Sequence, residues 1–199
     1  MARFLIPLGI VLALLVGLAA TAGVLAYGNA PTRDGRMEID GLDRPATVAW
    51  GDSGRVWIEA ETEVGLAAGL GYAHGADHGW AAMLWRQAAD GTLAQWFGDD
   101  ARDLDLHARA LGLPSLARRT FEALPAEDRA VLEAYAAGMN RAFAEPGVAQ
   151  ADAFVVTGVV PEPWRPWDAL AVERLHAYLA APALSRDSTW RAARRDSVV

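Results

Sequence analysis

The stretch from Gly69 to Gly98, GLGYAHGADHGWAAMLWRQAADGTLAQWFG, constrains the fold more than any other, because it is the longest helix-compatible run and sets aromatics at helical spacing. Ala73, Ala76, Trp80, Leu84 and Ala88 recur at three- and four-residue steps, while Asp77, Arg86 and Asp90 fall elsewhere. That pattern predicts one amphipathic, half-buried core helix and its exit. Gly91 is expected to end or bend it. Upstream, Glu59, Glu61 and Glu63 surround Thr62, a side chain suited to accept from the first-turn N–H groups, so the helix is expected to begin near Thr62.

A chain of 199 residues that is 53% hydrophobic can bury one substantial core, and 22% charged residues without low-complexity runs argue against disorder. The net charge is -7, lysine is absent and the arginines are scattered, which excludes nucleic acid as a partner, since phosphate binding needs clustered cations. Without cysteine there is no disulfide frame, thiol nucleophile or thiolate metal site.

Phe4 to Tyr27 is almost wholly apolar, preceded by Arg3 and followed by Gly28-Asn29-Ala30-Pro31. A run near 20 residues matches a bilayer's hydrocarbon thickness. Residues 1–30 are therefore read as a transmembrane signal-anchor or signal peptide. The remainder is placed outside the cytoplasm, on the periplasmic or cell-surface side: membrane-anchored through the N-terminal helix, or secreted if that helix is cleaved.

Residues 31–199 read as mainly α with a small N-terminal β-hairpin, an α+β arrangement with the hairpin in 37–60 and helices in 62–199. Met37 to Leu42, Ala46 to Trp50 and Val56 to Ala60 are β-compatible runs separated by turn formers, giving a hairpin or a meander. A second helix is expected over Asp99–Gly112, with Leu104, His107 and Leu111 on its buried face, and a third over Ser115–Ala123 after Pro114. A fourth opens at Pro125 with a stripe of Val131, Leu132, Tyr135, Met139 and Phe143. Pro146-Gly147 stops it. A loop with a strand-like patch at Phe154–Val156 leads to Pro161, Pro163 and Pro166, and a last helix carries Leu170, Val172, Leu175, Tyr178 and Leu179.

His74 and His78 stand four apart with Asp77 between them, a spacing that can hold zinc, but Gly75 occupies the place where the glutamate of H-E-x-x-H would stand. Structural roles are the expectation for both, as for His107 and His176. Ser53, Ser115, Ser185, Ser188 and Ser197 include none in a G-x-S-x-G elbow. Glu59, Glu61 and Glu63 could serve as acid–base carboxylates, yet a helix start accounts for them.

Several blocks resemble, in order, the α-chain region of the penicillin acylase (penicillin amidase) family of N-terminal-nucleophile hydrolases. Asp34-Gly35, Gly41-Leu42, Pro45, Gly54 and Ile58 are similar to its opening hairpin, and Gly71-Tyr72-Ala73-His74 with Asp77 to its Gly-Tyr-(Ala/Val)-x-Ala-x-Asp-Arg helix. Arg86, Gly91-Thr92-Leu93-Ala94 and Phe97-Gly98 continue it. Ala134 to Asn140 resembles its Tyr-Ala-x-Gly-(Met/Val)-Asn motif, and Pro161, Pro163-Trp164, Pro166 and Asp168 its Pro-x-x-Trp-x-Pro-x-Asp. The family's Asp-Arg is Asp77-His78 here, and its Arg-Arg is Arg86-Gln87, so the chain reads as a divergent member.

The resemblance implies an amidohydrolase cleaving the amide bond of N-acylated small molecules such as β-lactam side chains or acyl-homoserine lactones. In the family the nucleophile is the serine that self-cleavage exposes at the start of a β-chain, its own α-amino group acting as base. This chain holds no such serine, so a β-chain region of the same precursor, or a neighbouring gene product, is the expected partner. By the same resemblance Ala177, Ala180 and Ala181 stand where acyl-pocket residues would. Asp187 stands where a carboxylate would bind structural calcium shared with the β-chain, and no cofactor is required. The alternative is a non-catalytic, membrane-anchored helical domain, a truncated or degenerate relative.

Overall fold

The computed structural model describes residues 34–37, 45–51, 53–149 and 152–181. Strands β1 (Asp34–Met37), β2 (Ala46–Trp50) and β3 (Val56–Glu59) form an antiparallel meander in sequence order, with Asp34 opposite Ala49 and Trp50 opposite Val56. The first strand precedes the expected Met37–Leu42 run, most of which lies outside the described residues. Between β2 and β3, Gly51 donates to Arg55 O and Gly54, at φ 72°, donates to Gly51 O, the tight turn the Gly-Asp-Ser-Gly run foretold. Ala46 and Val48 turn fully inward, and Trp57 outward.

Helix α1 (Glu63–Asp90) is the spine, and at 1.5 Å per residue its 28 residues run about 42 Å. Its ends follow the local chemistry. Thr62 has extended backbone angles and its hydroxyl accepts from Gly65 N at 3.0 Å, while Gly91 closes the helix in the left-handed region at φ 67° and Thr92 N reaches Gln87 O at 3.0 Å. Thr62→Ala is expected to lower unfolding free energy by about 1 kcal/mol, the usual worth of a cap, measurable as a shift in the urea midpoint. No shift would mean the cap bond is replaced by water.

The buried face of α1 differs from the expected one. Ala73 is buried, but Ala76, Trp80, Leu84 and Ala88 are half-buried, and the deepest stripe runs through Gly65, Ala68, Tyr72, Gly75, Gly79, Met83 and Arg86. The reason is α5 (Ala126–Phe143), which crosses α1 so closely that bulk is excluded. A Cβ built on Gly75 would stand 2.7 Å from Ala142 Cβ, and one on Gly79 would stand 2.9 Å from the Phe143 ring. At His78, beside Gly79, the helix kinks (φ -131°, ψ 18°). On α5, Met139 and Phe143 are buried as expected, together with Ala134, Ala136, Gly138 and Ala142, whereas Val131, Leu132 and Tyr135 are only half-buried.

The short α2 (Ala94–Phe97) and a 3-10 turn (Gly98–Ala101) lead into α3 (Arg102–Leu111). Here too the face is rotated: Ala101, Asp105 and Ala108 are buried, while Leu104 is 62% exposed and His107 faces solvent. Asp105 sets this orientation, because its carboxylate accepts from Leu93 N (2.7 Å) and Ala94 N (2.9 Å), two donors with no intrahelical partner. Pro114 opens α4 (Leu113–Ala123) from within its first turn rather than preceding it. After α6 (Pro146–Ala149), the expected strand-like patch is the short helix α7 (Asp152–Thr157). It buries one large side chain, Phe154, edge-on against Trp80 at 5.2 Å, and leaves Val155 and Val156 exposed, so β-branched propensity yields to a single anchor. The last helix, α8, spans 168–181.

Three packed clusters lie along α1. The first joins Val48 of the sheet to Ala68, Tyr72 and Ala134, the second gathers Met83, Met139, Phe143, Phe154 and Trp164, and the third sets Ala89 against Leu113, Ala117, Ala171 and Leu175. The expected membrane-anchored, extracytoplasmic placement is corrected, because no helix among the described residues is long and apolar enough to cross a membrane. The apolar run over 4–27, on which that expectation rested, lies outside them, as does Asp187.

Candidate functional site

Residues from three sequence blocks meet where α8 begins. Asn140 on α5 clamps the proline-rich segment, donating to Trp164 O (2.9 Å) and accepting from Trp164 N (2.6 Å). Arg86 on α1, 2% exposed, donates to Pro163 O (2.9 Å) and to the Glu162 carboxylate (2.5 Å), and lies 3.6 Å from Asp168. Asp168, wholly buried, accepts from Arg165 N (2.8 Å) and from the Arg165 guanidinium (2.7 Å), which also donates to Asp90 at 2.7 Å. Burial pushes the Asp168 carboxyl above its ordinary range, with Arg165 and Arg86 pulling it back.

The polar knot fixes the root of α8, and Ala171 and Leu175 bury its inner face. Two aromatic pairs position the far end: the Tyr178 hydroxyl is 2.8 Å from His107 Nε2 on α3, and the His176 ring stands edge-on to Trp85 of α1 at 4.5 Å. Beyond them Ala177, Ala180 and Ala181 are all exposed, with Tyr178 and Leu179 41% and 53% exposed. Alongside, Leu84, Trp85, Ala88, Leu93, Phe97 and Leu104 line an open apolar groove of about 470 Å³. The helix end is thus rigidly rooted, apolar and uncovered, an arrangement that suits a wall for an acyl group or a seat for another chain better than acid–base chemistry.

Of the histidine pair on α1, His74 has a structural partner. His74 Nδ1 is 2.9 Å from the Tyr135 hydroxyl, and Asp77 accepts from Trp50 Nε1 at 2.7 Å, tying the sheet to the helix. Burial, with His78 nearby, lowers the pKa of His74 against the pull of Asp77, and burial pushes the Tyr135 phenol up to about 12. No grouping of three or more His, Asp or Glu among the described residues could hold a metal ion. Glu63 falls in the first turn of α1 and Glu59 ends β3, while Ser53 lies in the hairpin turn and Ser115 in α4. What the sequence did not foretell is the knot itself and the two clamps, since their partners are up to 77 residues apart.

The chain is similar in sequence and in fold to known proteins. The profile of the penicillin amidase family matches residues 45–197. The chain is 38% identical to the penicillin acylase 2 proenzyme of Pseudomonas sp. (strain SE83) over 144 residues, covering 72% of this chain and 18% of the relative. It is 27% identical to the acyl-homoserine lactone acylase QuiP of Pseudomonas putida over 169 residues, covering 83% and 21% respectively. The chain therefore spans about a fifth of the length of the curated relatives it matches. A thermostable penicillin G acylase from Alcaligenes faecalis superposes with a TM-score of 0.58 over 64% of this chain and 69% of that one, at 24% identity, a likeness of fold.

Proposed function

Because the chain belongs to the penicillin amidase family, we propose that residues 31–199 are the α-region of an amidohydrolase that cleaves the amide bond of N-acylated small molecules, completed by a β-chain region. The observation that carries this reading is the rooted, uncovered end of α8, where Ala177, Ala180 and Ala181 stand exposed. Three alanines make a roomy wall, which suits an extended or bulky acyl group of the kind found in β-lactam side chains and acyl-homoserine lactones. The names of the relatives, an acylase proenzyme and an acyl-homoserine lactone acylase, support both classes. The nucleophile and its oxyanion donors then belong to the β-chain, and this chain supplies binding and orientation.

Asp187 is proposed as one oxygen ligand of a calcium ion shared with the β-chain. One carboxylate does not hold calcium, which takes six to eight oxygens, and the described residues do not complete a site. No step of the reaction is routed through it.

Alone, the chain is expected to release no amine from chromogenic phenylacetyl or long-chain acyl amides. Joined in frame to a β-region read from the codons after Val199, it is expected to turn them over, and Ala177→Phe should then lower kcat/KM for the longer acyl group by roughly tenfold or more, the scale of a misfit in an apolar pocket. Turnover by the lone chain that survives alanine at Ser53, Ser115, Ser185, Ser188 and Ser197 would overturn the reading.

A further inference from the structure

We propose that the apolar groove between α1 and α3 takes the unbranched alkyl part of an acyl chain whose head group is uncharged, an aliphatic amide rather than a free carboxylic acid or a single aryl group. The proposal rests on the amidase reading for the origin of that chain, and it narrows the acyl group to the aliphatic class. Leu84, Trp85, Leu93, Phe97 and Leu104 line the groove, and Asp100 is the one charged residue in the described lining. An occupant therefore meets little but hydrocarbon and ring. The volume, about 470 Å³, far exceeds the ~150 Å³ that one benzene ring fills and falls in the usual range for small-molecule sites. A lone aryl group leaves most of that space unfilled, whereas a chain running along the groove does not.

The rim decides the head group. Asp99, Asp100 and Asp103 stand exposed there with Arg102 as the cation among them, so a carboxylate arriving with the chain is repelled and a neutral amide is not. The groove is also continuous with the exposed end of α8. The His176 ring stands edge-on to Trp85 of the lining at 4.5 Å, and Ala180, four residues on, shares that face of the helix. The Tyr178 hydroxyl is 2.8 Å from His107 Nε2, one turn beyond Leu104, and Ala181, three residues on, shares that second face. An acyl group lying against these alanines thus has the groove open to its far end.

The probe is N-decanoyl-homoserine lactone with a diazirine at its chain end, irradiated with the full chain alone so that labelling needs no turnover. Saturable label is expected within 84–104. Unmodified N-decanoyl-homoserine lactone should displace it at a concentration roughly tenfold lower than decanoate, the scale of one like-charge contact at a surface, and phenylacetamide should displace it least. Leu104→Glu, at a position 62% exposed, should raise the half-saturating concentration about tenfold, the scale of a misfit in an apolar site, while Leu66→Glu at the other end of α1 should leave it unchanged. Label spread equally over both ends of α1, equal displacement by decanoate, or equal displacement by phenylacetamide would overturn the proposal. Joining a β-region separates it from the amidase reading. A joined enzyme that cleaves the decanoyl amide while its groove takes no label would overturn the groove site, assign that surface to the β-region and keep the amidase. A labelled groove in a joined enzyme that cleaves no amide would support the site and sink the amidase reading.

Discussion

Gly138→Ala and Gly71→Ala are each expected to cost about 3 kcal/mol or more of unfolding free energy, the top of the range for overpacking a core. At both positions the new methyl would meet backbone rather than side chain: on Gly138 the Ala68 carbonyl and, at 2.7 Å, Tyr72 N, and on Gly71 the Tyr135 carbonyl group. Backbone atoms inside two helices cannot rotate aside. Relief needs α1 and α5 to move apart, and that would loosen the Tyr72, Met83, Met139 and Phe143 packing together. Gly79→Ala meets side chains alone, the Phe143 ring most closely and Val148 at ordinary contact distance, and should cost nearer 1 kcal/mol, because a side chain can yield and alanine recovers about 1 kcal/mol of helix propensity. Urea midpoints followed by helical CD rank the three, with Leu66→Ala on the exposed face as a control near zero. A Gly138→Ala chain as stable as the native one would show that the helices do not cross as closely as described.

This crossing also explains which parts of the fold the sequence disclosed. Helix ends were legible because they depend on neighbours in sequence: Thr62, Gly91, Pro125 and Gly112 act within a turn of where they stand. Buried faces were not, because hydrophobic periodicity weights bulk, and the tightest interface here is made of glycine and alanine. On α1 that hid the stripe through Gly75 and Gly79 behind Trp80 and Leu84, and on α3 it hid Asp105 behind Leu104. Leu104 and Trp85 look like core in the sequence because they are built for burial, and the described residues leave them uncovered.

The candidate site was legible in part for a related reason. Arg86, Asn140, Trp164 and Asp168 each stood in a block resembling the family, but nothing local says that the four converge, since their partners lie across three elements. Ala177, Ala180 and Ala181 were placed by counting from Asp168, and since all of 176–181 is exposed, burial does not set the three apart from their neighbours.

Removing one member of that knot is the second large effect expected. Arg86→Met should cost about 3–5 kcal/mol, the penalty of leaving buried charge without its counter-charge, because Asp168 is fully buried and Arg86 nearly so. The penalty should depend on pH in a stated direction. A carboxyl whose folded pKa lies above its unfolded value, as burial makes that of Asp168, binds more protons when folded. Its contribution to stability is therefore fully present below about pH 4 and is lost as pH rises through the raised folded value. Arg86 is one of the two cations that restrain this rise, so its removal should deepen the loss, making Arg86→Met costlier at pH 7.5 than at pH 4.5. Asp168→Asn in the Arg86→Met background should recover part of the loss at pH 7.5 and flatten the pH dependence, since asparagine can still accept from Arg165 N without carrying charge. Arg86 Nε and Asp90 Oδ1 have no hydrogen-bond partner among the described residues, so the intact knot is itself imperfectly satisfied, and the double variant need not fall far below the native chain. Strict additivity of the two substitutions, or a penalty equal at both pH values, would show that Arg86 and Asp168 are not coupled across the root of α8.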